Sequence, residues 1–429
     1  MMNSLHSYFG SKEEEILKEF LTDVKNKSLM NIVIKNCNAI KPVSFSKADV
    51  ILEEYVSVRS NMMMARRWPT CSPRARPKYL TISYQQMLKE ELIDEVSRNG
   101  LVAVPEENIP VFLCLLEFMK NIKQHQEAMS SVRREKERFS AVVAEHFFSK
   151  LVPGQKYCID ENTAMKHDRC PCLTNCSNKI RTANTGIGSG LVWHGHADIF
   201  IDETIAISVI KDDCVDDSVD DDDTSDDNTD DTVSITDCAP PQKRQRTENG
   251  NNQKTSKRLV GVCADVAEVE NKYSADILLD LNIIDQIIAE TITNAFAQVN
   301  RNACLQGRLI PTLGCSPDHV LVLMYDPEND VLLHSSKLMK LWAFPGELNL
   351  HAVIQVWLFL NFTTFIEPDV SEKYELRKAM FHYCVGDFLC VYKEASYNEK
   401  LKPADTNFYA DFVLPCYSEG AELVREKTG

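Results

Sequence analysis

The chain has 429 residues, of which 44% are hydrophobic, and carries a formal net charge of -16 at pH 7. This length suits two domains or one elaborated domain with a sizeable core, and the composition is that of an ordinary soluble protein. The fifteen cysteines are an odd, scattered number, and no basic start precedes an apolar run at the N-terminus. We therefore expect reduced thiols in an intracellular protein rather than a secreted, disulfide-bonded one.

The negative charge is concentrated in one segment. Thirteen aspartates and no lysine or arginine lie between Asp212 and Asp237, so the rest of the chain is nearly neutral. Binding of nucleic acid depends on how charge is distributed rather than on its sum. The overall acidity therefore does not exclude a locally basic cleft.

The first region, 1–129, is predicted to be mainly helical. Ser11 is a candidate N-cap with Glu14 at the capping-box position, followed by apolar residues at helical spacing. The other elements predicted in this region are a strand at 31–40 and helices at 46–56, 84–98 and 109–123.

A basic, proline-punctuated segment at 65–78 interrupts this region, and its prolines exclude a helix. Its arginines could contact phosphates while Trp68 stacks on a base, or the segment could be an exposed linker, which is the more common role of a basic run. The candidate nucleic-acid contacts are Arg66, Arg67, Arg74 and Arg76.

A helix at 130–150 begins a second region, 130–211. Its Glu145 lies in an apolar stretch that includes Val143 and Phe147. An unpaired carboxylate would be costly there, so we expect a cation or a metal ion as its partner.

A cysteine cluster follows this helix. Structural zinc sites usually join two close ligand pairs, but no second pair follows here, and the spacing of the three cysteines is unusual. The pattern therefore favours an ordinary loop of free thiols over a zinc site. The ligands of such a site would be His167, Cys170, Cys172 and Cys176. The Gly-rich stretch at 182–190 is predicted to be a turn, because it precedes a strand rather than opening a helix.

Residues 190–211 predict a β-hairpin with charged ends. Two β-runs, 191–201 and 204–211, are joined by a tight connection at Asp202 and Glu203. Asp198 and Lys211 on adjacent strands can then face one pocket. His194 and His196 share the strand parity of Asp198, so they could bind a metal ion or serve as hydrogen-bonded structural histidines.

Residues 212–258 are predicted to be a disordered insert, since a run of like charges with few apolar residues cannot offset its ordering entropy. The end of the insert is basic and resembles a two-part nuclear localisation signal, which predicts an import receptor as partner and residence in the nucleus, otherwise in the cytoplasm. The basic residues are Lys243, Arg244, Arg246, Lys254, Lys257 and Arg258.

The last region, 259–429, is predicted to complete an α/β domain. Gln286 and Glu290 on its first helix are four residues apart and share a face. The apolar run at 348–366 contains too many polar residues for a membrane span, so we expect a core helix and no membrane. The predicted elements are strands at 259–266, 319–325, 331–334 and 388–392 and helices at 283–300 and 348–366.

Together these elements predict an α/β (α+β) fold in which a central mixed sheet is flanked by helices, with a helical N-terminal subdomain and a long disordered acidic insert. The order helix, strand, strand, strand, helix, strand resembles the restriction-endonuclease-like fold of the PD-(D/E)xK nuclease superfamily. The resemblance implies that Asp198 and Glu145 bind one or two magnesium (or manganese) ions. It also implies that Lys211 positions the attacking water and that Gln286 supports the site.

The glutamate of the family's ExK tripeptide is absent, because Val209 stands at its position. Losing one carboxylate weakens a magnesium site, although Glu203 or the pair Asp212 and Asp213 could substitute. Three hypotheses follow. The protein is a magnesium-dependent nuclease, a catalytically inactive nucleic-acid-binding module on the same fold, or an unrelated α+β protein-interaction module.

Overall fold

The structure is a computed structural model that describes residues 2–53, 81–132, 136–162, 168–174, 176–210, 281–335 and 337–397. The arginine segment 65–78, the acidic and basic insert 212–258 and the predicted strand 259–266 lie outside the described residues. The expectations for these segments therefore remain predictions.

A ten-stranded mixed sheet forms the centre of the protein, in the order β4-β1-β13-β12-β11-β10-β9-β5-β6, with β14 pairing to β12. Helices pack against this sheet, so the predicted mixed α/β architecture is confirmed. The strands are β1 (Ser28–Ile32), β2 (Ile34–Cys37), β3 (Val50–Leu52), β4 (Thr81–Ser83), β5 (Tyr157–Asp160), β6 (Thr182–Ala183), β7 (Gly186–Gly188), β8 (His194–His196), β9 (Ile199–Ile201), β10 (Ile205–Val209), β11 (Ile310–Cys315), β12 (His319–Asp326), β13 (Val331–Ser335), β14 (Met339–Lys340), β15 (Trp342–Phe344), β16 (Glu347–Leu348) and β17 (Ser396–Tyr397).

The helices cover the sheet and connect its strands. They are α1 (Met2–His6), α2 (Lys12–Asp23), α3 (Tyr84–Met87), α4 (Glu90–Asn99), α5 (Ile109–Lys120), α6 (Ile122–Ser131), α7 (Lys136–Val143), α8 (Leu281–Arg301), α9 (Leu350–Leu360), α10 (Phe362–Phe365), α11 (Val370–Lys373), α12 (Phe381–Val385) and α13 (Leu389–Lys393). Ser11 caps α2 as predicted, because its hydroxyl accepts a hydrogen bond from the Glu14 amide at 3.2 Å.

The middle of the sheet is built by the chain on both sides of the insert. Strands β5, β9 and β10 pair antiparallel in succession. After α8 the chain returns as β11, which lies parallel to β10 with Ala206 opposite Thr312 and Val209 opposite Cys315. A parallel pair requires such a crossover connection, and α8 packs against both β10 and β11. Every residue of β10 and β11 is buried, as expected for central strands that are covered on both faces.

The N-terminal region completes one side of the sheet. Strand β1 pairs antiparallel with both β13 and β4. Residues from the beginning of the chain therefore share a sheet and a hydrophobic core with residues after the insert.

Helix α9 is buried along most of its length. Its Trp357 is fully buried and donates a hydrogen bond from Nε1 to the Val111 carbonyl oxygen at 3.0 Å. Within the described residues, every helix is too short or too polar to cross a membrane. The predicted core helix at 348–366 is thus confirmed, although it ends at Leu360 and a short helix, α10, follows it.

Several predicted elements differ from the structure. The predicted helix at 46–56 is a 3-10 turn at Phe45–Lys47 followed by β3, and the predicted strand at 388–392 is the helix α13. Short apolar runs fit either a strand or a buried helix by periodicity alone, so the sequence pattern could not decide. The Gly-rich stretch predicted as a turn forms β6 and β7, which pair with other strands.

Candidate metal sites

The predicted β-hairpin is present, but only its second half is regular. Strands β9 and β10 pair with Ile201 opposite Ile205, and the intervening Asp202 and Glu203 both adopt left-handed backbone conformations. Acidic residues tolerate this conformation better than branched ones, so the tight connection is compatible with its sequence. The turn fixes the register, and Asp198 lies at the opposite, open end of the hairpin.

Asp198 is held at the point where β5, β9 and β10 meet. Its Oδ2 accepts a hydrogen bond from the Val209 amide at 2.7 Å, and its carbonyl oxygen accepts one from the Asp160 amide at 3.0 Å. The side chain is partly exposed. Asp198 therefore presents a carboxylate beside the residue that occupies the glutamate position of the ExK pattern.

Glu290 on α8 is a second carboxyl group near Asp198. It is only 1% exposed, and Ser208 on β10 donates a hydrogen bond to its Oε2. Burial raises the pKa of the Glu290 carboxyl group to about 8; the negative charge of Asp198 adds to this increase, while the bond from Ser208 opposes it. The Oε1 atom of Glu290 has no hydrogen-bond partner among the described residues.

The direction of α8 determines where Gln286 lies. Asn294 donates a hydrogen bond to the Thr204 carbonyl oxygen at 3.2 Å near the start of β10, whereas Glu290 contacts Ser208 near the end of the strand. The helix therefore runs antiparallel to β10. Gln286 lies one turn before Glu290, on the same face and beyond the last residue of β10, and is partly exposed.

The two histidines before Asp198 are not on one continuous strand with it. His194 and His196 belong to β8, which pairs with β7 in a separate three-stranded sheet, and the chain leaves that sheet before β9 begins. His196 Nδ1 lies 3.0 Å from Asp160 Oδ1, and His194 Nδ1 lies 2.8 Å from the Val192 carbonyl oxygen. His194 and His196 therefore do not share one strand face with Asp198.

Two other candidate ligands lie away from Asp198. Glu203 is in the turn at the far end of the hairpin and forms an ion pair with Arg301. Glu145 lies near Tyr157 at the beginning of β5, whereas Asp198 is level with Asp160 at the end of that strand. The ends of a four-residue strand are about 10 Å apart, so neither glutamate is brought to Asp198.

The partners of Glu145 are protein side chains. Its Oε1 accepts hydrogen bonds from Lys150 Nζ and Asn178 Nδ2, both at 2.8 Å. Burial by itself would raise the pKa of Glu145, but the bonds from Lys150, Tyr157 and Asn178 outweigh it and hold the pKa below its ordinary value. The expectation of a cationic partner for this buried carboxylate is thus confirmed, and the partner is Lys150. The pair lines a cavity of about 720 Å³ that Lys179 and Arg181 also border.

A second candidate site is formed by the cysteine cluster. The loop that carries it folds back on itself, because Arg169 and Lys179 form an isolated β-bridge and the Cys170 amide bonds to the Asn178 carbonyl oxygen at 2.8 Å. The loop thereby gathers Cys170, Cys172 and Cys176 on one side. The Sγ atoms of Cys172 and Cys176 lie 3.3 Å apart.

His146 completes this cluster from a different element. It lies in a π-helical turn, Ala144–Phe148, that follows α7, and it is 1% exposed. The ligand atoms of the four residues all lie within 4.8 Å of one another, and the group could hold a metal ion. Both ring nitrogens of His146 lack hydrogen-bond partners among the described residues, and burial lowers the pKa of the imidazole. A neutral ring with a free nitrogen is the form that binds metal.

The sequence had suggested His167 as the histidine of this cluster, because it lies close to the cysteines in the chain. His167 and Lys211 both lie outside the described residues. The donor that the structure supplies, His146, was missed because it is far upstream on a helix. The signal that could have found it is a histidine next to Glu145 within an otherwise apolar helix.

No family model matches the chain, and it matches neither a curated protein sequence nor a solved structure.

Proposed function

We propose that the protein hydrolyses phosphodiester bonds of nucleic acid with a divalent metal ion bound at Asp198. The observation that carries this proposal is the position of Asp198: its carboxylate is partly exposed at the open end of the β9–β10 hairpin and is fixed by the Val209 amide. The buried carboxyl group of Glu290, with its unsatisfied Oε1, lies close enough for the charge of Asp198 to raise its pKa. A carboxylate oxygen such as that of Asp198 is the kind of hard donor that Mg²⁺ and Mn²⁺ prefer.

The order of elements also supports the proposal. A helix, three antiparallel strands, a crossover helix and a strand parallel to the third follow in the order that the nuclease resemblance requires. A divalent ion at Asp198 would neutralise a phosphoryl oxygen and lower the pKa of a bound water. The protein would hold the ion through the Asp198 carboxylate, which the strands fix in place.

The sequence offers two candidate lysines for the proposed reaction. Lys211 follows β10 by two residues, and a complete Glu-x-Lys tripeptide, Glu270-Asn271-Lys272, precedes α8. Both segments lie outside the described residues, so substitution rather than geometry has to decide between them. If one of the two lysines positions the attacking water, its replacement by methionine lowers the cleavage rate and leaves metal binding unchanged.

A cleavage assay tests the proposal. The purified full chain would be incubated with labelled single- and double-stranded DNA and RNA, with Mg²⁺ or Mn²⁺, beside an Asp198→Asn variant. We expect metal-dependent cleavage by the wild type that the variant lacks. Equal cleavage by the variant would show a contaminating nuclease and reject the proposal. Salt-dependent binding without cleavage would instead favour the inactive nucleic-acid-binding module.

We further propose that the cluster of three thiols and one imidazole is a structural zinc site. The two unpartnered ring nitrogens of buried His146 carry this proposal, since thiolate and imidazole are the donors that zinc prefers. Sulfur atoms lie roughly 3.8 Å apart in a tetrahedral site with Zn–S bonds of about 2.3 Å, close to the spacing observed. Four protein ligands leave no open position for a substrate, so a structural role follows.

Zinc content tests this assignment. We expect about one zinc ion per chain in the purified protein, and loss of that zinc in Cys172→Ser. Cys304→Ser is a matched control, because Cys304 is exposed and lies outside the cluster. Replacing zinc with cobalt should give the visible bands of tetrahedral cobalt with thiolate charge transfer. Zinc retained in Cys172→Ser, or octahedral cobalt bands, would contradict the assignment.

A further inference from the structure

Glu290 has a buried carboxyl group of which one oxygen lacks a hydrogen-bond partner among the described residues. Its Oε2 is accounted for by Ser208, but its Oε1 is buried and unsatisfied among the described residues. No lysine, arginine or histidine among the described residues forms an ion pair with Glu290. A buried carboxyl oxygen without a partner is unfavourable, and a bound cation would satisfy it.

Glu290 lies beside Asp198. The Val209 amide bonds to Asp198 Oδ2, and extending the register in which Ile207 pairs with Ile199 places Ser208 opposite Asp198. Glu290 bonds to Ser208 from α8, so it lies on the Ser208 face of β10, whereas the Val209 side chain points to the opposite face. A carboxyl group is therefore present beside Asp198 but comes from α8 instead of β10.

We infer that Glu290 is the second carboxylate of the divalent-metal site at Asp198 and is supplied by α8 rather than by β10. This inference rests on the function proposed for Asp198 and names a further residue of the same site. Mg²⁺ or Mn²⁺ is the ion expected, because both donors are carboxylate oxygens. The Ser208 hydroxyl bonds to Oε2, which leaves Oε1 as the oxygen available to the ion.

Binding of Mn²⁺ to the full chain, measured by titration calorimetry and by electron paramagnetic resonance, tests this inference without relying on activity. The variants are Asp198→Asn and Glu290→Gln, with Glu14→Gln as a matched control. Glu14 is likewise a buried glutamate, but it bonds to the Leu101 amide at 2.9 Å in the helical layer. We expect each site variant to weaken Mn²⁺ binding by about 10-fold or more and the control to leave it unchanged.

A measurement on the unmodified protein covers the case in which Glu290→Gln does not fold. Fe²⁺ with ascorbate and peroxide generates radicals at a divalent-metal site, and these cleave the nearby backbone. We expect cuts beside Asp198 and beside Glu290, and we expect excess Mg²⁺ to suppress both.

The outcomes separate the two claims. If Asp198→Asn abolishes Mn²⁺ binding while Glu290→Gln retains it, or if the chain is cut beside Asp198 alone, Glu290 is not a ligand and the function proposed for Asp198 still stands. If the wild type binds no Mn²⁺ and shows no Mg²⁺-sensitive cut, the proposed function fails together with the inference.

Discussion

Gly188 allows a quantitative test of how α8 is packed. This glycine lies in β7 with φ +94°, and a Cβ atom added to it would lie 2.6 Å from the Trp193 carbonyl oxygen and 2.9 Å from Thr293 Cγ2 on α8. The first atom is backbone and cannot move away cheaply. Gly346 also has a positive φ, +80°, but an added Cβ would have no neighbour within 4 Å. Both glycines have a backbone conformation that is strained for other residues, but only at Gly188 would an added Cβ also clash with neighbouring atoms.

We expect Gly346→Ala to cost about 1–2 kcal/mol of the free energy of unfolding, because only the left-handed backbone is penalised. Gly188→Ala should cost about 1–3 kcal/mol more, since overpacking adds to the same strain. Each kcal/mol shifts the melting temperature by about 2–4 °C in a domain of 150–250 residues, so the two variants should differ by several degrees. Urea unfolding followed by circular dichroism would give the free energies. Equal losses in both variants would refute the close approach of Gly188 to the Trp193 carbonyl oxygen and to α8.

Three further predictions concern stability. Burial lowers the pKa of His334 from its ordinary 6.5 to about 4. The unfolded chain therefore binds a proton at His334 more readily than the folded one, and the free energy of unfolding falls as the pH drops from about 6.5 to 4. This contribution is about 3 kcal/mol, and a His334→Leu variant whose unfolding showed the same pH dependence as the wild type would contradict it. Lys150→Met should cost about 2 kcal/mol or more, because it leaves the Glu145 carboxylate buried without its cation, and adding Glu145→Gln should recover most of this loss in urea unfolding. No recovery in the double variant would mean that Lys150 acts through its packing alone. Chelation of zinc should lower the melting temperature of the wild type by several degrees but leave that of Cys172→Ser unchanged, as metal binding is coupled to folding; an equal effect on both would exclude the cluster as the zinc site.

Local patterns predicted the elements that depend on neighbouring residues. The apolar periodicity of 283–300 identified α8, and the paired acidic residues at 202 and 203 marked the tight turn of the hairpin. The hydrogen bond that caps α2 at Ser11 was also predictable, since it spans only three residues. These features are encoded within a few turns or strand residues. Asp198 was expected on the first β-run, 191–201, and lies instead in a bend just before β9.

Features that join distant parts of the chain were not predictable in the same way. Strand β1 pairs with β13, but nothing in the sequence of either strand names its partner across some 300 residues. The meeting of His146 with the cysteines has the same origin, since it depends on how the helix before β5 packs against a loop. Glu290 could be noticed as a polar residue on a helical face, but its burial beside Asp198 depends on the crossover of α8 over β10.

Which glutamate lies near Asp198 also required the structure. The resemblance to the nuclease superfamily implied that Glu145 and Asp198 bind the same ion. The structure pairs Glu145 with Lys150 and brings Glu290 near Asp198 instead. Glu145 lies at the beginning of β5 and Asp198 at its end. The order of elements along the chain does not tell which end of the strand a helix residue contacts.

The most direct test of the central claim is an anomalous-scattering map from crystals of the full chain soaked in Mn²⁺. The account predicts one Mn²⁺ peak within about 2.5 Å of a carboxylate oxygen of Asp198 and of Oε1 of Glu290. A map without manganese density at Asp198, or with the ion bound only at residues away from β9, β10 and α8, would contradict it.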